Sequence, residues 1–178
     1  ELHFALGNLL RRRGEFDRAV RVHEHLLARG DLSGADRDRA QHALALDFLK
    51  AGLLDRAENA LRKLNNTPFE AQSLLSLLAI YERSRDWPHA SEIAEKLQTL
   101  GHGSFASRQA HYLCEQANTK ISQYELKEAQ ALLVQAVSAA PQAPRPHIDL
   151  ATVTHSLGDA PAAYEILSAL IVQDSLVI

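Results

Sequence analysis

The chain has 178 residues, of which 46% are hydrophobic, enough for one ordinary domain or a short repeat array and too many for a disordered segment. With 19 lysines and arginines against 22 acidic residues, the net charge of −3 excludes the strongly basic class of nucleic-acid-binding proteins. A single cysteine excludes an internal disulfide and a multi-cysteine metal site, and no apolar run is long enough to predict a membrane span.

Apolar residues recur at the helical period along the whole chain. Ala40, Ala43, Leu44 and Phe48, for example, follow the i, i+3, i+4, i+8 spacing of one buried helix face. No stretch alternates apolar and polar residues for long, as a half-buried strand would. The sequence therefore predicts an all-α chain with ten amphipathic helices, over residues 1–12, 16–28, 36–51, 54–65, 69–84, 87–99, 106–122, 126–139, 145–156 and 160–173.

Polar residues at the predicted helix starts agree with this register. Ser33 lies three residues before Asp36, and Thr67 lies three residues before Glu70. In such a pair the hydroxyl oxygen accepts a hydrogen bond from a first-turn amide, and the carboxylate lies at the positive end of the helix dipole. We therefore expect both pairs to cap helices.

A short sequence motif recurs five times: a turn, a few residues, then an alanine inside a new helix. The alanines are separated by 38, 33, 39 and 34 residues, and they lie at Ala19, Ala57, Ala90, Ala129 and Ala163. Two of these spacings are close to the tetratricopeptide period of about 34 residues. The longer two are explained by extra polar and glycine-rich residues at 30–36 and 101–107.

The pattern predicts a right-handed superhelical solenoid of about five tetratricopeptide helix pairs, in a single repeat domain over residues 1–178. The predicted repeats cover about 1–32, 36–67, 69–101, 106–141 and 145–175. The chain contains no methionine, begins inside a helix and ends on the apolar residues Leu176, Val177 and Ile178. Because a solenoid needs polar terminal repeats, we expect this chain to be a fragment of a longer protein in which the array continues.

Four stretches carry a resemblance more specific than that of a generic repeat. They are Leu6-Gly7-Asn8-Leu9, Asp17-Arg18-Ala19, Ala51-Gly52-Leu53 and Ala110-His111-Tyr112 with the following Cys114-Glu115. Together they resemble the lipopolysaccharide assembly protein B family of Gram-negative bacteria. The likeness runs over nearly the whole chain, strongest in residues 1–65 and 108–135 and weak after 140.

The resemblance implies a regulatory scaffold and not an enzyme. Members of that family have an N-terminal membrane helix, a cytoplasmic repeat domain and a rubredoxin-like zinc module with four cysteines. The implied role is to couple the membrane-bound protease FtsH to the deacetylase LpxC, which restrains lipopolysaccharide synthesis. Only the repeat part is present in this chain, so we expect no cofactor in the fragment. We also expect a cytoplasmic location and contact with the inner membrane only through an absent flanking segment.

In tetratricopeptide folds the first helix of each pair, helix A, lines a concave groove that holds a partner. The residues that this register places on the groove are Asn8, Arg11, Arg12, Arg39, His42, Lys50, Arg83, His111, Asn118, Arg145 and His155, together with Glu82 and Thr152. Six of them are lysine or arginine and one is acidic, although the chain as a whole is slightly acidic. This bias favours a protein partner that presents acidic side chains or a terminal carboxylate.

Three smaller motifs each have a functional and a structural interpretation. The two histidines of His23-Glu24-His25 are metal-ligand residue types and could indicate a metal site. Histidines two residues apart point to different faces of a helix, however, so a packed His23 and a solvated His25 are favoured. Cys114 has a histidine one turn away, yet a buried apolar role is favoured over a reactive thiol. Arg11-Arg12-Arg13 either binds phosphate or lipid headgroups or, more often for such a run, interacts with the helix dipole and water.

Two alternatives remain open at this point. Tetratricopeptide arrays also precede the catalytic half of N-acetylglucosaminyl transferases, although no mixed α/β nucleotide-sugar pattern is present in this sequence. Such arrays also occur in proteins of pilus or secretion assembly. Gly-rich phosphate loops, nucleophile elbows and zinc-ligand spacings are absent from the sequence, which favours a chain without catalytic activity.

Overall fold

The computed structural model describes residues 1–175, and over those residues the chain is all-α. The helices are α1 (Leu2–Arg12), α2 (Phe16–Leu27), α3 (Gly34–Lys50), α4 (Leu54–Arg62), α5 (Glu70–Ser84), α6 (Trp87–Thr99), α7 (Ala106–Ser122), α8 (Leu126–Ala139), α9 (Pro144–Ser156) and α10 (Ala160–Ser175). Every predicted helix is confirmed, with each boundary within three residues. The apolar end at Leu176, Val177 and Ile178 lies outside the described residues.

The largest boundary difference is at the end of α4, which stops at Arg62 and not at residue 65 as predicted. The Leu64 amide donates to the Leu61 carbonyl over 3.0 Å, which tightens the last turn. Asn66 follows with a positive φ of 59°, a conformation that ends a helix. The chain therefore leaves the helical path three residues early.

The helices form two compact units. The first runs from Glu1 to Ser84 and holds α1 to α5, and the second begins at Arg85 and holds α6 to α10. In the first unit each helix packs against the next, and α1 also contacts α3. In the second unit the same order holds from α6 to α10, and α7 also contacts α9. The boundary falls inside the predicted repeat 69–101, so the single-domain organisation stays a prediction.

The recurring alanine is buried at all five positions. Ala19, Ala57, Ala90 and Ala129 are fully inaccessible to solvent, and Ala163 is 6% exposed. A methyl side chain lets two helix backbones approach more closely than a larger residue would, and such tightly packed positions tolerate little added volume. The small residue identified from spacing alone is therefore a core position in every predicted repeat.

The first residue of the recurring sequence motif has a left-handed backbone conformation in all five cases. Gly14, Gly52 and Gly158 have φ of 78°, 74° and 93°, and Arg85 and Tyr124 have φ of 57° and 62°. In each case this residue follows an A helix and turns the chain into the next B helix. Glycine adopts this conformation without steric cost, whereas a residue with a Cβ atom does not. Two of the five turns therefore carry local strain.

Ser33 caps α3 as predicted, whereas the bonds of Thr67 and Glu70 lie in the turn that precedes α5. The Asp36 amide donates to Ser33 Oγ over 3.1 Å at the start of α3. Before α5, the Phe69 amide donates to Thr67 Oγ1 over 3.2 Å, and the Asn66 amide donates to the Glu70 carboxylate over 3.2 Å. The Ser33 bond satisfies an amide that α3 itself leaves unpaired, and the other two bonds stabilise the turn before α5.

We expect Ala129→Leu to destabilise the protein by about 1–3 kcal/mol, because the added carbons overpack the buried contact of α8. Ala131→Leu is the matched control, since Ala131 lies in the same helix but is exposed. Thermal or urea unfolding of both variants measures the difference. Equal stabilities would show that Ala129 is not a close-packed position.

We expect Tyr124→Gly to stabilise the protein by about 0.5–1 kcal/mol, because glycine removes the strain of the left-handed turn. The side chain of Tyr124 is 92% exposed, so little packing is lost. Tyr124→Ala removes the same ring but keeps a Cβ atom, and it should give no such gain. A stability for Tyr124→Gly at or below that of Tyr124→Ala would contradict the expectation.

Candidate partner-binding site

A buried carboxylate joins three helices of the first unit. Asp47 in α3 is fully inaccessible to solvent. Its Oδ1 accepts a hydrogen bond from Arg11 Nη1 of α1 over 2.7 Å, and its Oδ2 lies 2.5 Å from Nδ1 of His23 in α2. Because an ionised carboxylate only accepts hydrogen bonds, Nδ1 of His23 carries the proton in this contact. The two partners satisfy both oxygens of a charge that would otherwise be buried alone.

Gly7 makes room for the imidazole of this network. A Cβ atom at Gly7 would overlap Cε1 and Nε2 of His23. The ring centre of Phe4 lies 5.7 Å from that of His23. No group among the described residues hydrogen-bonds to Nε2 of His23. The small residue that the sequence places inside α1 is therefore required by the histidine of α2.

Two of the predicted groove residues belong to this interior network. Arg11 Nη2 donates to Asn8 Oδ1 over 2.6 Å, and Nη1 also donates to the Ala43 carbonyl over 3.1 Å. The Arg11 side chain is only 18% exposed. Its charge is thus neutralised by Asp47 and its donors are used within the fold, so Asn8 and Arg11 have a structural role that the sequence did not predict.

Asp47 itself was not among the residues predicted from the sequence. Ala40, Ala43, Leu44 and Phe48 form the predicted core stripe, and Asp47 occupies the i+7 position of that same stripe. A carboxylate at a core position signals a buried partner. The spacing gives no way to identify that partner, since Arg11 lies 36 residues away.

Arg39 and His42, further groove candidates on α3, lie against aromatic rings. The Arg39 guanidinium carbon is 3.9 Å from the ring centre of Phe4, and Nη1 lies 3.3 Å from a carboxylate oxygen of Glu1. The His42 ring stacks on Phe69 with centres 4.7 Å apart. Burial, and secondarily the positive charge of nearby Arg11, lowers the pKa of His42. Both side chains therefore make packing contacts within the fold.

In the second unit Arg145 is the centre of an ion-pair cluster between α7 and α9. Its guanidinium donates to Glu115 Oε1 over 2.6 Å and to His111 Nδ1 over 2.9 Å, and its Nε lies 3.4 Å from Asp149 Oδ2. The hydrogen bond to Glu115 raises the pKa of Arg145 further. Two predicted groove residues, His111 and Arg145, are thus in direct contact, but the carboxylates beside them offset the positive charge.

The remaining candidates of the second unit are exposed. Asn118, Thr152 and His155 all face solvent, and the Thr152 hydroxyl donates to the Ile148 carbonyl of its own helix over 2.8 Å. The Trp87 ring lies edge-on to His111 with centres 5.4 Å apart. An aromatic ring therefore adjoins the Arg145 cluster.

The predicted positive bias is concentrated in the first unit. Arg12, Lys50 and Arg83 are exposed, and none of them makes an ion pair within residues 1–175. Arg11 and Arg145 are each paired with a carboxylate. Arg39 is paired with Glu1, so three of the six predicted groove cations remain without a carboxylate partner. Their role in binding stays a prediction.

The motifs with alternative chemistry have structural roles in this fold. His23 is buried, while His25 is exposed with its ring centre 6.4 Å from that of His3, so the two histidines do not converge. Cys114 is buried, and burial together with the charge of Asp149 raises the pKa of its thiol to about 11. A thiol with that pKa is protonated near neutral pH and is a poor nucleophile.

No helix in the described part of the chain is both long and apolar enough to cross a bilayer. Within the same residues, no group of three or more histidine, cysteine, aspartate or glutamate side chains is arranged to hold a metal ion.

Comparison with known proteins places the repeat pattern among named relatives. A family model described as tetratricopeptide repeat matches residues 2–38. Lipopolysaccharide assembly protein B of Escherichia coli K12 is 36% identical over 175 residues, which cover 98% of this chain and 45% of that protein. The protein of the same name from Haemophilus influenzae is 33% identical, covering 98% of this chain and 44% of that protein. The chain therefore spans less than half the length of these curated relatives.

Among solved structures, MamA from Desulfovibrio magneticus RS-1 is similar with a TM-score of 0.48 and 15% identity. That alignment covers 98% of this chain and 94% of the MamA chain.

We expect Asp47→Ala to destabilise the protein by about 3–5 kcal/mol, because it leaves Arg11 and His23 without their shared partner in a buried site. Asp38→Ala is the control, since Asp38 lies in the same helix and makes no ion pair among the described residues; it should change stability by less than about 0.5 kcal/mol. Urea unfolding compares the two. A similar small loss from both would show that the network does not hold the three helices together.

Proposed function

The chain is a tetratricopeptide-repeat protein and a homologue of lipopolysaccharide assembly protein B, and from this premise we propose that it acts as a protein-binding scaffold in lipopolysaccharide assembly. The observation that carries the proposal is 36% identity over 98% of the chain. The similarity covers only the part of those relatives that this chain spans. The activity of the full-length relatives is therefore only proposed for this chain.

The partner-binding surface is formed by the A helices, and its partner carries acidic side chains. This part of the proposal is supported by Arg12, Lys50 and Arg83, which are exposed and lack carboxylate partners within the described residues. A cation without a protein partner is available to an incoming carboxylate, and exposed charges of this kind raise the rate of encounter. Within the second unit, the exposed hydrogen-bonding candidates of the A helices are His111, Asn118 and His155.

At a finer level, we propose that the chain contributes to coupling the protease FtsH to the deacetylase LpxC. The support is the family resemblance carried by the sequence motifs, and the name of the relatives, lipopolysaccharide assembly protein B, is compatible with it. In this proposal the repeat region lies at the cytoplasmic face of the inner membrane. Any membrane attachment is supplied by a segment that flanks residues 1–178.

The proposal also holds that this chain binds without catalysing a reaction and without a cofactor. Two side chains of a type that can act as a nucleophile or as an acid–base group are instead buried within the fold. His23 is buried against Asp47, and the thiol of Cys114 is buried with a pKa of about 11. A purified chain that transferred sugar from a nucleotide sugar would refute this part.

The direct test of the scaffold proposal measures binding of the purified chain to purified LpxC and to the soluble part of FtsH. Surface plasmon resonance at low and at physiological salt gives the affinity and its salt dependence. Saturable binding to either protein that weakens as salt rises supports the proposal. Absence of saturable binding to both at high micromolar concentration refutes the assignment of these partners.

We expect the double variant Lys50→Glu and Arg83→Glu to bind its partner about 3- to 30-fold more weakly than the unmodified chain, with the larger loss at low salt. The reason is that reversing each charge replaces an attraction by a repulsion. Lys63→Glu with Lys127→Glu is the matched control, because these exposed lysines belong to the B-helix side and make no ion pair among the described residues. Equal losses from the two pairs would mean that the A helices do not form the binding surface.

A further inference from the structure

The second unit has a pocket beside its longest connection. Residues 100–105 join α6 to α7, and the sequence spacing already indicated extra residues in this stretch. The Phe105 amide at the end of this connection donates to Gln98 Oε1 over 3.1 Å. The Phe105 side chain is consequently held against the helices and is 8% exposed. The connection therefore contributes one wall of a cavity bordered by α6, α7 and α8.

The pocket combines an apolar floor with a polar rim and has a volume of about 320 Å³. Ala94, Phe105 and Leu113, all buried, form the floor. The polar rim consists of Glu95, Gln98, Gln109 and Gln135, and Ala139 also lines the cavity. Such a cavity fits one long side chain whose stem is apolar and whose end is polar.

Within the part of the chain that the structure describes, one polar atom of the rim lacks a partner. Gln109 Nε2 donates to Ser91 Oγ over 2.6 Å, while Gln109 Oε1 is buried and has no hydrogen-bond partner among the described residues. Exchanging the two ends of this amide would leave its nitrogen unpaired instead, so one polar atom lacks a partner in either orientation. A buried polar atom without a partner is unfavourable. Because Gln109 Oε1 is also inaccessible to solvent, an occupant can bond to it only if the Gln109 amide turns towards the cavity.

The charge of the pocket is decided by Glu95. It is the single ionisable residue in the lining, it is exposed, and its carboxylate makes no ion pair among the described residues. An acidic occupant would be repelled by this carboxylate, and a purely apolar one would shield the exposed amides of Gln98 and Gln135 from water without pairing them. A cationic side chain meets both conditions, since it supplies N–H donors and a complementary charge.

We propose that this pocket receives a lysine or arginine side chain from a basic segment of a partner protein. The aliphatic stem lies on Phe105 and Leu113, and the cationic end donates to Glu95 and to the amide oxygens of Gln98 and Gln135, whose side chains are exposed. This site goes beyond the proposed function, because it is formed by residues other than the A-helix cations and has the opposite charge preference. The chain would then hold an acidic segment on one surface and a basic one on another.

The test follows the side-chain amide resonances of Gln98, Gln109 and Gln135 by NMR in the full chain. The probe is a short end-blocked alanine peptide with one central arginine or lysine. Peptides with central citrulline, which keeps the shape of arginine without its charge, and norleucine, which keeps the stem alone, are the comparisons. We expect saturable shifts with the cationic peptides and weaker binding of the other two.

Two exposed glutamates of α6 provide matched variants. Glu95→Gln should weaken binding of the cationic peptides by about two- to fivefold, the range expected for an exposed ion pair. Glu92→Gln removes an equal charge from the same helix, outside the pocket, and should have no such effect. Equal effects of the two variants, or equal binding of the citrulline and arginine peptides, would overturn the proposal. The Lys50→Glu and Arg83→Glu variant should bind these peptides normally, so failure of the pocket proposal is distinguishable from failure of the scaffold proposal.

Discussion

The first unit depends on the burial of one carboxylate among three helices. Asp47 is inaccessible to solvent, so its charge is tolerated only because Arg11 and His23 bind its two oxygens. Those partners come from α1 and α2, and they must approach α3 closely to reach it. Gly7 permits that approach because a Cβ atom there would overlap the imidazole. The packing of α1, α2 and α3 must therefore satisfy one electrostatic requirement and one steric one.

This requirement also changes which charges are available for binding. Arg11 is paired with Asp47 in the core, and Arg145 is paired with Glu115 in a more exposed ion pair of the second unit. Of the six predicted groove cations, the three that remain exposed and without an ion pair among the described residues are Arg12, Lys50 and Arg83. A scaffold that recognises acidic segments would therefore use fewer cations than a count of lysines and arginines suggests.

The irregularities of the repeat have separate physical consequences. The turns at Arg85 and Tyr124 use residues with a Cβ atom where the other three use glycine, so each turn holds a strained backbone. The long connection before α7 has a different effect, because it positions Phe105 as the wall of a pocket with a polar rim. Departures from an ideal repeat thus coincide with strained turns in two places and with a candidate second binding surface in another.

The sequence by itself determined the helices, their caps, the turns between them and the five buried alanines. Each of these depends on interactions within a few residues, which periodicity and capping chemistry report directly. The candidate site was predicted only in part, because the sequence shows which side chains share a helix face but not which charges meet. Asp47 lies 36 residues from Arg11, and Glu115 lies 30 residues from Arg145. Only the packing of whole helices brings such pairs together, so the tertiary structure alone decided which cations are neutralised and which remain exposed to a partner.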